Sequence, residues 1–309
     1  MELLIRSITW EAEGICSFEL LAPQGVTLPE HAAGAHVDLH LPGGLIRQYS
    51  LTNAWDGRRQ VVAVGRDRGS RGGSRWLHEV ARPGMKLEVS APRNSFPLVD
   101  DAPFTALFAG GIGITPILAM ARWLHLLGRP WSLFYGVRDR SVAAFAEELA
   151  ALGGDVHLHV DAEAGGPPDL KAVVAAVPEG AHLYCCGPEP MIAPFLAASA
   201  GRPDAHVHVE HFGAIAPRAD DGSLVVDLSR SGCRITVKSD QTILDAVLAA
   251  GISVPASCRN GVCGTCETVV LGGEPDHRDL ILSDAEKAAG KTMMICCSRA
   301  KTPHLTLDL

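Results

Sequence analysis

No apolar run in this 309-residue chain approaches the ~20 residues that a membrane-spanning helix needs. The opening Met-Glu-Leu-Leu-Ile-Arg lacks the apolar core of a secretion signal, so a cytoplasmic protein with no membrane partner is expected. Positive charge is in deficit: 27 Lys and Arg stand against 35 Asp and Glu, a net charge of −8. That balance argues against nucleic acid as a partner. The G-x-G-x-x-G dinucleotide fingerprint is missing, and so is a second C-x2-C pair that would complete a zinc knot. In a reducing compartment the nine cysteines read as thiols and ligands, not as a disulfide frame. With 47% hydrophobic residues there is material for packed cores, and at ~100–200 residues per domain the length suggests two or three domains.

The cysteines that are present carry the strongest signal. Within Ser257-Cys258-Arg259-Asn260-Gly261-Val262-Cys263-Gly264-Thr265-Cys266, three thiols stand in C-x4-C-x2-C spacing, and Cys296 follows far downstream. This is the plant-type spacing for a [2Fe–2S] cluster held by Cys258, Cys263, Cys266 and Cys296. A loop around sulfides must turn tightly and aim amides at sulfur, which suits the small residues Gly261, Gly264 and Thr265. A zinc site or a disulfide set is the weaker alternative. Adjacent side chains on an extended segment point opposite ways, so only one of Cys296 and Cys297 is expected to face the irons. Cys16 and Cys233 read as buried or half-buried fillers.

Short apolar runs separated by turn residues fill the N-terminal third: Leu3–Ile5, Cys16–Leu20, His36–His40, Arg47–Leu51 and Gln60–Gly65. Many short strands without a long helical pattern predict a small antiparallel barrel. On Arg47-Gln48-Tyr49-Ser50-Leu51-Thr52 a flat ring can lie on Tyr49, with Ser50 and Thr52 binding its heteroatoms and Arg47 pairing with a phosphate. Further on, Arg71-Gly72-Gly73-Ser74 leads into a helical stretch, Trp76–Val80, and offers free amides and Ser74 as a cap for an anion. Together these motifs resemble the flavin-binding domain of the ferredoxin-reductase superfamily.

At Phe104 the period changes. Phe104–Ala109 is continuously apolar, as in a strand buried on both faces. It ends in Gly110-Gly111-Ile112-Gly113-Ile114-Thr115-Pro116, and the spacing predicts a helix over 117–127 with Thr115 as its cap and Pro116 at its first position. Strands 131–137, 156–160, 182–186 and 205–210 alternate with helices 142–152, 170–177 and 190–200. Such alternation implies a parallel sheet with its ligand at the carboxyl ends of the strands. Beside Gly187, Cys186 either points from the strand end into that crevice or is a buried thiol, and the sequence leaves both readings open. After the second strand, Asp139 suits a ribose diol while Arg138 and Arg140 suit a 2′-phosphate, and the reading leans to NADH over NADPH. The histidine pairs 157/159 and 206/208 share strand faces; exposed alternation on edge strands accounts for them better than a metal does.

Past a linker, 224–228 and 234–238 form a hairpin, 241–250 a helix and 305–309 a closing strand, a β-grasp pattern around the iron loop. The expected fold is multidomain: an antiparallel β-barrel flavin domain (1–99), an α/β parallel-sheet nucleotide domain (100–213), a linker (214–222) and an α+β β-grasp ferredoxin domain (223–309). This order resembles the phthalate dioxygenase reductase family, which includes the vanillate O-demethylase reductases. The resemblance covers essentially the whole chain and also rests on Tyr184-Cys185-Cys186-Gly187-Pro188, Asp276-His277-Arg278-Asp279 and Cys296-Cys297-Ser298-Arg299-Ala300. At Cys297, relatives carry an apolar residue.

The resemblance implies an NADH-dependent reductase that binds FMN, with FAD the alternative, and passes single electrons through the cluster to a Rieske-type oxygenase. It assigns FMN to Arg47, Gln48, Tyr49, Ser50, Ala63, Val64, Gly65, Gly72, Gly73 and Ser74. Gly111, Gly113, Thr115, Asp139, Cys186 and Gly187 would bind the nucleotide. Thr115 and Cys186 would flank the nicotinamide, and Phe212 in Glu210-His211-Phe212-Gly213 would cover the flavin. Arg259 is expected on the docking surface. A ferredoxin or a haem monooxygenase is the alternative acceptor. A redox sensor without turnover would need neither the Tyr49–Ser50 strand nor the Gly110–Pro116 loop.

Overall fold

The computed structural model describes residues 1–67, 72–212, 222–256, 259, 261, 264–279 and 281–309. It comprises two compact units, Met1–Phe212 and Gly213–Leu309. The loop Arg68–Arg71, nearly all of the expected linker (213–221), and the ligands Cys258 and Cys263 lie outside the described residues.

The first unit contains the expected barrel and the expected parallel sheet. The barrel strands are β1 (Glu2–Ala12), β2 (Ile15–Leu21), β3 (His36–Leu41), β4 (Leu45–Ser50), β5 (Arg59–Gly65) and β6 (Lys86–Val89), paired antiparallel in the order β4-β3-β6-β1-β2-β5. A bridge between Leu51 and Val62, with Thr52 N donating to Val61 O at 2.9 Å, joins the end of β4 to β5 and closes the barrel. Alternate residues such as Phe18, Leu20, Val37, Leu39, Val62 and Val64 point inward and are fully buried. Helix α1 (Gly73–Glu79) plugs this core with Leu77.

The second sheet is wholly parallel: β7 (Thr105–Gly110), β8 (Trp131–Val137), β9 (Asp155–Val160), β10 (His182–Gly187) and β11 (Val207–His211), in the order β11-β10-β7-β8-β9. Helices α2 (Ile114–Leu126) and α3 (Ala146–Ala151) lie on one face, while α5 (Leu170–Ala175) and α6 (Glu189–Ser199) lie on the other. A four-residue helix, α4 (Asp161–Ala164), follows β9.

Two expectations for these helices need correction. Gly113 is the N-cap of α2, so Thr115 and Pro116 sit inside its first turn, and Thr115 Oγ1 donates back to Ile112 O at 3.1 Å instead of capping. The expected helix 142–152 is broken. A 3-10 turn, Arg140–Val142, precedes α3, and Phe145 between them has φ 62°. Tertiary packing overrides helix propensity there, because Ala144 and Phe145 are drawn onto Ala12 and Ile15 of the barrel.

The second unit has the order β13-β12-β18-β14-β16, built from β12 (Leu224–Leu228), β13 (Cys233–Val237), β14 (Glu267–Gly272), β16 (Thr292–Met294) and β18 (His304–Leu307). The hairpin β12–β13 is antiparallel, but β12 and β18 pair in parallel, the hallmark of a β-grasp. Helix α7 (Ile243–Ala249), capped by Thr242 Oγ1, buries Ile243, Leu244 and Val247 against the sheet. Each such side chain contributes ~1.5–3 kcal/mol. The short strands β15 (Pro275–Asp276) and β17 (Arg299–Ala300) pair beside it, and α8 (Asp284–Ala289) follows. Cys16 is half-buried as expected, whereas Cys233 is exposed at the hairpin, where a short strand end leaves it nothing to pack on.

Candidate functional site

The nucleotide loops meet because two glycines have no side chain. A Cβ on Gly113 would lie 2.2 Å from Cys186 O and 2.8 Å from Gly187 N, and one on Gly110 would lie 2.6 Å from Met191 Sδ. The loop after β7 is therefore pressed onto the end of β10. Gly111, Gly113, Thr115, Cys186 and Gly187 share one carboxyl edge of the sheet, and register partner His211 brings Phe212 to the same edge. Phe212 is exposed at that edge. Asp139 lies at the end of β8, where its carboxylate accepts from Ser141 N at 2.9 Å; this bond holds its pKa below the usual range.

Cys186 is fully buried, with Sγ 4.0 Å from Glu210 Oε2. Burial, reinforced by Glu210 and Cys185, pushes its thiol well up, so it is a neutral packing group and not a nucleophile. Burial also pushes the Glu210 carboxyl up to about 8. Local sequence marks Glu210 only as part of Glu210-His211-Phe212-Gly213, because its partner Cys186 comes from the neighbouring strand.

The flavin set lies on β4, β5 and α1. A Cβ on Gly73 would lie 2.6 Å from Arg47 Cγ and 2.9 Å from its Nε, so the arginine stem runs across the start of α1. Gly72, with φ 103°, is the N-cap of α1, which displaces Ser74 from that role; Ser74 Oγ accepts from Asp67 N at 3.3 Å. Burial pushes the Tyr49 phenol up to about 12, against the pull of Arg47, so it stays neutral. Gln48 meets His36 of the neighbouring strand β3 at 3.4 Å, and Ser50 is buried. His78 on α1 contacts Val64 O at 2.9 Å, fixing the Ala63–Gly65 backbone from a residue that pattern reading passed over.

The two sets touch. Gly65, the last residue of β5, faces Ile112 of the β7 loop: a Cβ there would lie 3.4 Å from Ile112 Cγ1. Arg122 of α2, bidentate to Glu148, also donates to Thr52 O just past the Tyr49–Ser50 strand.

In the second unit, Cys266 and Cys296 are buried, and Ile295 N reaches Cys266 O at 3.5 Å. Residues 295–297 form a turn and not an extended segment, so the expected alternation of Cys296 and Cys297 does not hold. Both are buried, and Cys297 Sγ would lie 2.5 Å from a Cβ on Gly261. Gly261 and Gly264 have φ of 73° and 74°, the left-handed turns expected of a loop wrapping sulfides. Asp279, buried beneath, accepts from Leu282 N at 2.9 Å and from Ser298 Oγ at 3.4 Å. Arg259 pairs with Asp245 of α7 at 3.0 Å and remains partly exposed.

His157 and His159 fall on the edge strand β9 and His208 on the edge strand β11, while His206 ends the 3-10 turn just before it. His157 stacks on Phe134, while His208 stacks on Tyr184 at 4.2 Å and meets His182 at 3.0 Å. Among the described residues, no group of three His, Cys, Asp or Glu is placed to hold a metal ion.

Residues 226–301 match the family model of the 2Fe-2S iron-sulfur cluster binding domain. Over its whole length the chain is 51% identical to the phenoxybenzoate dioxygenase subunit beta of Ectopseudomonas oleovorans, covering 97% of it. It is 41% identical to the phthalate dioxygenase reductase of Burkholderia cepacia, covering 97% of that protein. A solved phthalate dioxygenase reductase, described as a modular structure for electron transfer from pyridine nucleotides to [2Fe–2S], superposes over the whole chain and 98% of its own, with TM-score 0.81 and 41% identity. The chain belongs to the phthalate dioxygenase reductase family. It is an oxidoreductase, the reductase component of an oxygenase system, with a C-terminal [2Fe–2S] domain. For this family member, the residues present fit the groups they would hold. The Gly72–Gly73 amides and Arg47 suit a phosphate, and the buried Cys266 and Cys296 suit iron. No helix among the described residues is long and apolar enough to cross a membrane.

Proposed function

We propose that this reductase takes hydride from NADH, through FMN and its [2Fe–2S] cluster, and delivers single electrons to a cytoplasmic Rieske-type terminal oxygenase. The observation that carries the reading is the contact of Gly65 with Ile112, which sets the flavin strands against the nucleotide loop. Arg47 and the Gly72–Gly73 amides would hold the FMN phosphate, and Tyr49, Ser50 and the Ala63–Gly65 backbone its ring. The Gly111–Gly113 loop and Gly187 admit the nucleotide, and Asp139 takes its ribose. Thr115 and the neutral Cys186 thiol line the nicotinamide position, while Phe212 shields the flavin face. Cys258, Cys263, Cys266 and Cys296 would ligate the irons. Flavin, when bound, accepts electrons in pairs and releases them singly, which a plant-type cluster requires.

Anaerobic titration with NADH, followed by absorbance and electron paramagnetic resonance, tests this. Uptake of about three electrons per chain, two on flavin and one on the cluster, is expected. Reduction of flavin alone would refute the cluster assignment, and release of FAD on denaturation would refute FMN. Rates with a Rieske oxygenase, a ferredoxin and a haem monooxygenase then identify the acceptor. Arg259→Glu is expected to leave NADH oxidation intact and slow acceptor reduction.

A further inference from the structure

The loop after β8 holds two arginines, Arg138 and Arg140, of the kind that would welcome a 2′-phosphate. One of them is already engaged. Glu163 on α4 takes Arg140 Nε at 2.8 Å and Nη2 at 2.7 Å in a bidentate fork. The fork is held in place from both ends. Ala162 N donates to Arg138 O at 3.1 Å, tying α4 to the β8 loop, and Gly166 N closes α4 onto Asp161 O at 3.0 Å. Neighbouring Asp161 faces His159 instead, at 3.4 Å. Arg140 in turn holds the Glu163 carboxyl below its usual range by their hydrogen bonds, and Ser141 does the same for Asp139, so both stay ionised at neutral pH.

We propose that Glu163 biases the nucleotide specificity by holding Arg140 in that fork, so that a 2′-phosphate meets neither the Arg140 donors nor a net positive charge. The proposal rests on the reading of this edge as the NADH site. Arg138 and Arg140 against Asp139, Asp161 and Glu163 leave the loop and α4 with a net charge of −1, which does not favour a dianion. A surface pair contributes little to folding, but its occupancy decides which donors are free. Without Glu163 the loop and α4 are left neutral and the Arg140 guanidinium loses its carboxylate, leaving its fork of donors for a phosphate. Glu163 is thus a specificity-determining residue that acts through Arg140, without touching the reacting atoms.

The test compares wild type, Glu163→Gln, Arg140→Ala and the double variant as full-length, flavin-loaded protein. Two quantities are read: the ratio of kcat/KM for NADPH over NADH with ferricyanide as acceptor, and inhibition by 2′,5′-ADP relative to 5′-AMP. Wild type should favour NADH. Glu163→Gln should raise the NADPH/NADH ratio at least tenfold and tighten 2′,5′-ADP by a similar factor, and the double variant should lose both gains. An unchanged ratio in Glu163→Gln, with wild type still favouring NADH, overturns the lock and leaves the NADH reading intact. A gain that survives in the double variant overturns the role of Arg140. A wild type that favours NADPH overturns the NADH reading and the lock together. Inhibition by 2′,5′-ADP separates these outcomes from any loss of flavin or cluster.

Discussion

Gly113 and Gly261 are both held at glycine by what lies against them, but the obstacles differ in kind. Against Gly113 stands backbone, the carbonyl of Cys186 at 2.2 Å from the missing Cβ. Against Gly261 stands a side chain, Cys297 Sγ at 2.5 Å. A backbone obstacle belongs to the strand that makes the site and cannot be trimmed, whereas a side-chain obstacle can. One close approach defines the fold of the nucleotide edge; the other is a fitted joint between a loop and a turn.

The largest expected effect follows from the first. Gly113 has an ordinary helical conformation, φ −60°, so Gly113→Ala is a purely steric change. It should separate the β7 loop from β10 at a cost at or above the ~1–3 kcal/mol usual for over-packing. NADH-dependent flavin reduction should fall by more than tenfold, and no side-chain substitution nearby should restore it. Recovery in a Gly113→Ala, Cys186→Ala double variant would break the distinction, since that change removes a thiol but leaves the carbonyl.

The ferredoxin joint should yield to trimming. Gly261→Ala meets Cys297 and also pays ~1–2 kcal/mol for its left-handed backbone. Its cluster absorbance should drop, and Cys297→Ala in the same chain should restore most of it, because the tightest contact is then relieved and Asp279 Cα at 3.0 Å and Cβ at 3.3 Å are milder. Cys297→Ser alone should keep the visible spectrum, whereas Cys296→Ser should lose it. A double variant no better than Gly261→Ala would mean that backbone strain dominates there too, and the contrast with Gly113 would disappear.

Gly73 lies at the mild end, facing the flexible stem of Arg47. Gly73→Ala should fold with an unchanged melting temperature while Arg47 swings aside. Flavin affinity should weaken by about tenfold, equivalent to ~1.4 kcal/mol, as read by quenching of FMN fluorescence on titration into apoprotein. Affinity equal to wild type would show that Arg47 does not hold the phosphate.

These joints mark the boundary of what the sequence discloses. The barrel strands, the βα alternation and the cysteine spacing were legible because each is a local period or a short motif, and the order of the sheets followed. The helix start at Ile114 is hidden from local pattern because Gly111–Gly113 reads as loop, yet forms a 3-10 turn that runs into α2. The break at Phe145 comes from the barrel residues Ala12 and Ile15, distant in sequence. The direction of Cys297 depends on a turn where alternation assumes a strand. Each miss concerns what a segment meets across the fold, which periodicity does not encode.

The smallest effect belongs to β11, where the close approaches are between side chains, His208 on Tyr184 and Glu210 on the Cys186 thiol. Burial and the neighbouring His182 and His206 lower His208 to about 4 from 6.5. Its contribution is therefore complete above pH 6.5 and is lost as pH falls toward 4. Glu210, two residues on, is raised to about 8 from 4.5, so its contribution is complete below pH 4.5 and is lost as pH rises toward 8. Between pH 4.5 and 6.5 the two slopes oppose each other and their sum is flat. His208→Phe, which keeps the stack on Tyr184, should expose the Glu210 slope, so that its unfolding midpoint falls as pH rises through that window. Glu210→Gln should expose the opposite slope, with a midpoint that rises. Two variants that both track wild type across the window would show that neither group is desolvated as its surroundings imply. One edge strand would then be held, like Gly113, by backbone alone.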